Sequence, residues 1–334
     1  MTFCARRFVV ALAILSAVCA HAQDSPQAAD GGAEASGVTA CDELRSFGVP
    51  IDMCDTADET VPLTSTELNS SPFELVTASG ADACAALEEL NSAKGVAAVI
   101  GDAADVRRLG VLASENGRRV DRRDTAAILR QAATLRHPQS LYTHNKSTEA
   151  TFAELRTRDP IYDERIRAFE EAVGVSLADP APPIGAWPDD APTTPGSHNV
   201  AEAGELCALS LTVARAGRTG DPKKTVYIGV FATDDWTEIP ARLAYGDWNA
   251  NPPAEHHVAA LRAWRDRFGA RLIGVNADTL NVIVEKTPQN KDDALALAHE
   301  QYAYAPDIVD QGVGSISHLA AGLMQTRSWY FWWD

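Results

Sequence analysis

Among the 334 residues there is no Gly-x-Gly-x-x-Gly run, no Cys-x-x-Cys pair and no Gly-x-Ser-x-Gly elbow. The first absence removes the specific mark of a dinucleotide site. The second removes that of a zinc ribbon, and the third that of an α/β-type serine hydrolase. Positive charge is scarce: 29 Lys and Arg stand against 46 Asp and Glu, a formal charge of −17. A surface of that sign repels phosphate backbones and anionic leaflets, so neither nucleic acid nor a membrane surface is an expected partner. Long apolar runs are missing too. The longest, Phe8 to Val18, falls short of the roughly 20 residues that span a bilayer, so no membrane anchor is expected.

That short run has a different use. Arg6 and Arg7 precede it, and Ala20-His21-Ala22 follows as a small-x-small cleavage site. The three zones read as a secretory signal peptide over residues 1–22, with a mature start at Gln23 and an exported protein, periplasmic or secreted. A lipidated Cys19 fits less well, because Val18 is bulky for such a site. A twin-arginine signal matches only in part. Loss of Arg6 and Arg7 leaves 27 basic against 46 acidic residues, a formal charge of −19.

Four cysteines then remain: Cys41, Cys54, Cys84 and Cys207. An even number in an exported chain points to disulfides, with three connectivities open. Cys41 and Cys54 enclose a short polar loop and are expected to pair, which leaves Cys84 for Cys207. The plainer alternative for the last two is a pair of buried thiols.

Local patterns give a mixed α/β chain. Residues 23–72 form a polar, partly disordered leader, and residues 73–177 an α/β and helical region. A proline-rich linker or long ordered loop covers 178–200, and residues 201–334 form a C-terminal α/β domain. Phe73 to Val76 and Val96 to Ile100 read as strands. Helices from about Ala81 to Ser92 and Ala104 to Ser114 complete a parallel βαβ-like unit. Asp124 to Arg136 and Thr148 to Val173 look helical, the second divided at Asp159-Pro160. Leu206 to Val213 and Thr225 to Phe231 read as strands. Asn251-Pro252-Pro253 is expected to start a helix with Asn251 as its cap, and Gly269 to end it. Leu272 to Val275 and Leu280 to Val284 form a hairpin. Asp292-Asp293 opens a helix to Tyr304, and Ser315 caps a last one to Gln325. In the terminal strand, Ser328 to Trp333, the aromatic rings of both faces are expected to be buried.

Several of these segments carry a resemblance. Trp236, Ile239-Pro240-Ala241 and Gly246-Asp247-Trp248-Asn249 resemble the opening of a bacterial family called domain of unknown function 4253. Phe268-Gly269-Ala270, Glu300-Gln301-Tyr302, Pro306-Asp307-Ile308-Val309, Gln311-Gly312 and the closing Trp329 to Asp334 are similar to the rest. The resemblance covers about residues 235–334. Phe73 to Val76 and Val99-Ile100-Gly101-Asp102 extend it weakly upstream. Members commonly carry cysteine where this chain has Asn251 and Ala305, which excludes thiol chemistry at those places. The family brings no established catalytic residues with it.

Adjacent helical side chains point about 100° apart, so His256-His257 and His299-Glu300 share no face. His299 to Ala303 lacks the second histidine of a zincin, so no metal is expected, and His256 reads as a solvated surface residue. Glu300, Gln301, Asp307, Asp310 and Gln311 form the densest polar cluster. Glu300, Asp307 and Asp310 are the candidates for acid–base catalysis; the bland alternative is that they cap turns and satisfy backbone groups. Trp248 beside Asn249 suits stacking plus hydrogen bonding. Together with Glu300, Gln301, Asp310 and Gln311 they are expected to line one shallow cleft. No cofactor is expected. The favoured reading is a module that binds a protein or a glycan. The alternatives are a carboxylate-dependent hydrolase and a partner-neutralising, immunity-type protein.

Overall fold

The computed structural model describes residues 61–111, 123–158, 184–189, 191–194, 203–217 and 219–334. The expected signal peptide, most of the leader and the Cys41–Cys54 pair lie outside the described residues. The chain divides into two compact units. The unit made of Asp58–Glu149 and Ala181–Asp334 holds the sheet and every site discussed below. Of the other, Met1–Ala57 with Ala150–Pro180, only the end of one helix is described.

The strands are β1 (Glu74–Ala78), β2 (Val96–Gly101), β3 (Val226–Phe231), β4 (Arg271–Val275), β5 (Thr279–Ile283) and β6 (Ser328–Trp332), in one sheet of order β1-β3-β2-β4-β5-β6. The crossover from β1 to β2 is present, and α1 (Ser65–Ser70) precedes it while α2 (Ala83–Ala93) forms it. The two strands are not neighbours, however. β3 lies between them and pairs antiparallel with both, so the expected βαβ unit is split. Among the described residues, the one parallel contact joins β2 to β4. Strands from both sides of the proline-rich stretch therefore share one sheet.

The apolar runs Val96–Gly101 and Val226–Phe231 are buried along their whole lengths, as strands covered on both faces must be. On one face Ala97, Val99, Ile228 and Ile273 meet α2 and α6 (Ala203–Ser210). Between them in the chain come α3 (Ala103–Arg108), α4 (Thr125–Ala132) and α5 (Gln139–Arg158). The other face carries Ile100, Leu272, Leu280, Trp329 and Phe331 against the longer helices α8 (Ala254–Phe268), α9 (Lys291–Tyr304) and α10 (Ile316–Gln325). A short α7 (Ile239–Leu243) precedes α8.

Several expectations need correction. Leu206 to Val213 is helix and 3-10 turn rather than strand. Cys207, Ser210 and Leu211 recur at helical spacing and are all buried, while Leu209 points outward, 67% exposed. The pairing Cys84–Cys207 ties this helix to α2 across a Cα separation of 6.0 Å. The helix expected to run from Ala104 to Ser114 ends at Arg108. Asn251 caps no helix: Pro253 precedes the first turn of α8. In β6 only one face is buried. Trp329, Phe331 and Trp333 are covered, whereas Tyr330 is 46% exposed because β6 is an edge strand with little packed on its second face. Gly269 and Ser315 stand where expected, the first in a left-handed C-cap and the second accepting from the His318 amide.

Part of the proline-rich stretch is docked. The Ile184 and Gly185 carbonyls accept from the Ser317 amide and hydroxyl, at 2.9 and 3.0 Å. Trp187 packs against the core with Lys291 Nζ 4.8 Å over its ring.

Candidate functional site

The expected cleft residues separate into four places. Glu300 and Gln301 project from α9 into the interior, 4% and 1% exposed. Glu300 is fully engaged there. Arg267 Nη1 donates to both its oxygens at 2.9 and 2.7 Å, Trp264 Nε1 donates at 2.5 Å, and His137 Nε2 lies 2.9 Å away. Burial works to raise its pKa, but the hydrogen bonds and charges of His137 and Arg267 outweigh that and hold it below the usual carboxylate value. A carboxylate held this way is a poor general acid.

Asp307 and Gln311 meet at the turn after α9, where Gln311 Nε2 donates to Asp307 Oδ1 at 3.1 Å. The Asp334 amide donates to Asp307 Oδ2 at 2.9 Å, and Asn249 Nδ2 donates to the Asp334 carbonyl at 2.7 Å. Asn249, Asp307 and Gln311 are thus brought together through the terminal residue. Asp310 instead accepts from the Tyr302 hydroxyl at 3.2 Å.

Trp248 faces elsewhere. It lines a depression of about 310 Å³ with Arg108 and Leu109 from the end of α3, Leu243 to Gly246 from the end of α7, and Ala277 and Asp278 from the β4–β5 turn. The loop that carries Trp248 is held in unusual backbone. Ala244, Gly246, Asp247 and Asn249 all have left-handed φ, at 45°, 84°, 69° and 46°. Only glycine adopts that region without cost, so the surroundings must hold the other three there. They do: the Asp247 amide donates to the Asn251 and Pro252 carbonyls, both at 3.1 Å, and the Asn251 amide donates to the Trp248 carbonyl at 2.8 Å. A Cβ on Gly246 would stand 1.9 Å from the Pro252 carbonyl oxygen. Asp278 is equally fixed. Its carbonyl accepts from the Trp333 amide at 3.1 Å, and its carboxylate accepts from the Thr279 hydroxyl at 2.8 Å.

Next to the depression is a charged group that the sequence reading missed. Asp102 and Asp105 cap the start of α3 reciprocally, each carboxylate accepting from the other's amide at 3.0 Å. Lys223 Nζ sits 2.6 Å from both carboxylates, and Asn276 Nδ2 donates to Asp105 at 3.1 Å. Burial pushes the Asp105 pKa up, against the opposing pull of Lys223. Arg108, half exposed, lies 3.7 Å from Asp105 and reaches the depression. Gly101 has φ +118°, and a Cβ there would stand 2.1 Å from Asp105 Oδ2. The signal in the sequence was Gly101-Asp102-x-x-Asp105 after an apolar strand, a capping box preceded by glycine.

The histidines also differ from expectation. His256 is buried, 7% exposed, rather than solvated, and His257 beside it is 0% exposed. His257 Nδ1 lies 2.5 Å from the Tyr304 hydroxyl, and Nε2 2.8 Å from Asn251 Oδ1. Burial lowers the His257 pKa to about 3. Burial and the nearby His144 lower that of His256 to about 4. Among the described residues no group of three or more His, Cys, Asp or Glu converges as a metal site. No helix among them is long and apolar enough to cross a membrane.

Residues 227–334 match the family model of a domain of unknown function, DUF4253. No curated protein and no solved structure matches the chain.

Proposed function

Taking the DUF4253 segment as the functional part of the chain, we propose that this protein is a recognition module whose ligand seat is the depression beside Trp248. One observation carries the reading. A strained, tightly hydrogen-bonded loop presents a partly buried tryptophan to an open hollow, between a half-exposed arginine and a pinned aspartate. Strain of this kind persists where the fold over-determines it, and a preorganised aromatic beside polar groups suits binding.

Hydrolysis finds less support. Glu300, the leading catalytic candidate, is buried and has both oxygens occupied, and its pKa is lowered rather than raised. The reading also puts the protein in an oxidising compartment outside the cytoplasm. The Cys84–Cys207 bridge supports that, as does the leader sequence.

The test uses immobilised full-length mature chain exposed to a cell-envelope extract, with recovered small molecules, glycans and peptides identified by mass spectrometry. Trp248→Ala and Asp278→Asn should both lose the recovered species, while Tyr330→Ala on the exposed face of β6 retains it. Equal recovery by all four proteins would sink the reading.

A further inference from the structure

Resting on that reading, we propose that the depression takes a neutral saccharide, one or two rings long, stacked on Trp248 and hydrogen-bonded between Arg108 and Asp278.

Arg108 can only donate hydrogen bonds and the Asp278 carboxylate accepts them. Tyr245 lines the depression and is 4% exposed, its ring packed on His257 and Trp333. A sugar hydroxyl both donates and accepts. A pyranose also carries an apolar C–H face that matches an indole ring.

Charge excludes the closest rivals. Opposite charges stand on the rim, so neither sign dominates, and Arg108 already has the Asp105 carboxylate 3.7 Å away. Asp105 in turn belongs to the group neutralised by Lys223. An anionic ligand would have to compete with Asp105 for Arg108 under the field of an acidic chain. A cationic ligand would find Asp278 alone, with one oxygen taken by Thr279. A neutral polyol uses both charged groups without separating either from its partner. The size agrees, since about 310 Å³ lies at the small end of ligand pockets. The hollow is also open, which suits the end or side of a chain rather than a swallowed metabolite.

Asp105 has a positioning role here, holding Arg108 toward the rim from the rigid start of α3. Gly101 makes that possible by leaving room for its carboxylate.

The test is NMR of the full-length mature chain labelled with ¹⁵N in its tryptophan indoles, with Trp248 assigned through Trp248→Phe. Maltose, cellobiose and chitobiose are titrated separately to tens of millimolar, with tetralysine and tetraglutamate in parallel. At least one disaccharide should shift the Trp248 signal saturably and leave Trp332 unmoved. Asp278→Asn and Arg108→Ala should each weaken it by about tenfold or more, a loss of about 1.4 kcal/mol. Both substitutions lie at the surface, so near-ultraviolet circular dichroism should match the parent. Asp105→Asn should weaken binding as well, by a factor that shrinks at high salt, where the Arg108–Asp105 pair of the parent is itself screened. If a peptide moves Trp248 and no disaccharide does, the saccharide proposal falls while the seat stands. If nothing moves it, both fall. A sugar-induced shift unchanged in Asp278→Asn and Arg108→Ala would also overturn the proposal.

Discussion

Glu300 on α9 and Arg267 near the end of α8 are clamped together, with Arg267 Nη1 donating to both carboxylate oxygens at 2.9 and 2.7 Å. The carboxylate is buried while Arg267 is 43% exposed. Removing the acid therefore strands Trp264 Nε1 and His137 more than it strands the guanidinium. Breaking one side of a buried pair costs about 3–5 kcal/mol, and the exposure of Arg267 puts Glu300→Ala near the lower bound. Urea unfolding of Glu300→Ala against the parent measures it. A cost below about 1 kcal/mol would show that this network is not structural.

Acid should destabilise the fold early. The usual histidine value is 6.5, and in the folded chain His256 titrates at about 4 and His257 at about 3. Above pH 6.5 both are neutral whether folded or unfolded. Below it the unfolded chain takes up protons that the folded chain refuses, so stability falls continuously as pH drops toward 3. Glu67, lowered to about 2 chiefly by its hydrogen bonds from Arg107, adds to the loss between about pH 4.5 and 2. Urea midpoints should decline from pH 7 to pH 5, and His256→Asn should flatten that decline. A midpoint independent of pH in this range would contradict the burial of these rings.

Reduction of the Cys84–Cys207 bridge should lower stability substantially. It closes a loop across a sequence separation of 123 residues, for which chain-entropy arguments give about 5 kcal/mol as an upper value. Cys84→Ala with Cys207→Ala should lower the urea midpoint under oxidising conditions and share the parent's midpoint under reducing ones. Peptide mapping that found Cys84 joined to another cysteine would refute the pairing.

The terminal strand should be indispensable. Trp329, Phe331 and Trp333 are almost completely buried, and Trp264 stacks on Phe331 with centroids 5.1 Å apart. Losing a core aromatic costs about 3–5 kcal/mol against a total stability of about 5–15. A chain lacking the last six residues should show no cooperative melt.

Gly246→Ala tests the strained loop. With φ at +84° and a Cβ meeting the Pro252 carbonyl, the loop must move, taking Trp248 with it. Ligand recovery should fall as for Trp248→Ala, although the melting temperature need drop by only a few degrees. Unchanged recovery would separate the loop conformation from recognition.

Much of the local structure was legible in the sequence, because the signals act within a few residues. Ser315 and Gly269 bound their helices as their chemistry requires, and Asn276 to Thr279 turns the β4–β5 hairpin. Leu206 to Val213 misled because a short apolar run has no decisive period. Only the side chains that pack against α2 reveal it as a helix.

The candidate site was half legible. Trp248 was readable as an aromatic at a turn, but its companions were not. Arg108 and Asp278 stand 140 and 30 residues away from it in sequence, and only the fold makes them neighbours. Glu300 shows the reverse: a polar residue in a family motif, which the structure turns inward to meet Arg267, Trp264 and His137.

By itself, the sequence determined the mixed α/β character, the acidic charge, the likeness to DUF4253 and the helix ends at Gly269 and Ser315, each set by composition or by contacts a few residues apart. The tertiary structure alone decided that β3 enters between β1 and β2, that His256 and His257 are buried, and that Asp102, Asp105 and Lys223 meet at the end of the interior strand β2. These depend on pairing across more than a hundred residues or on which face of a helix is covered. Burial and charge pairing are properties of neighbours in space, and a linear pattern does not contain them.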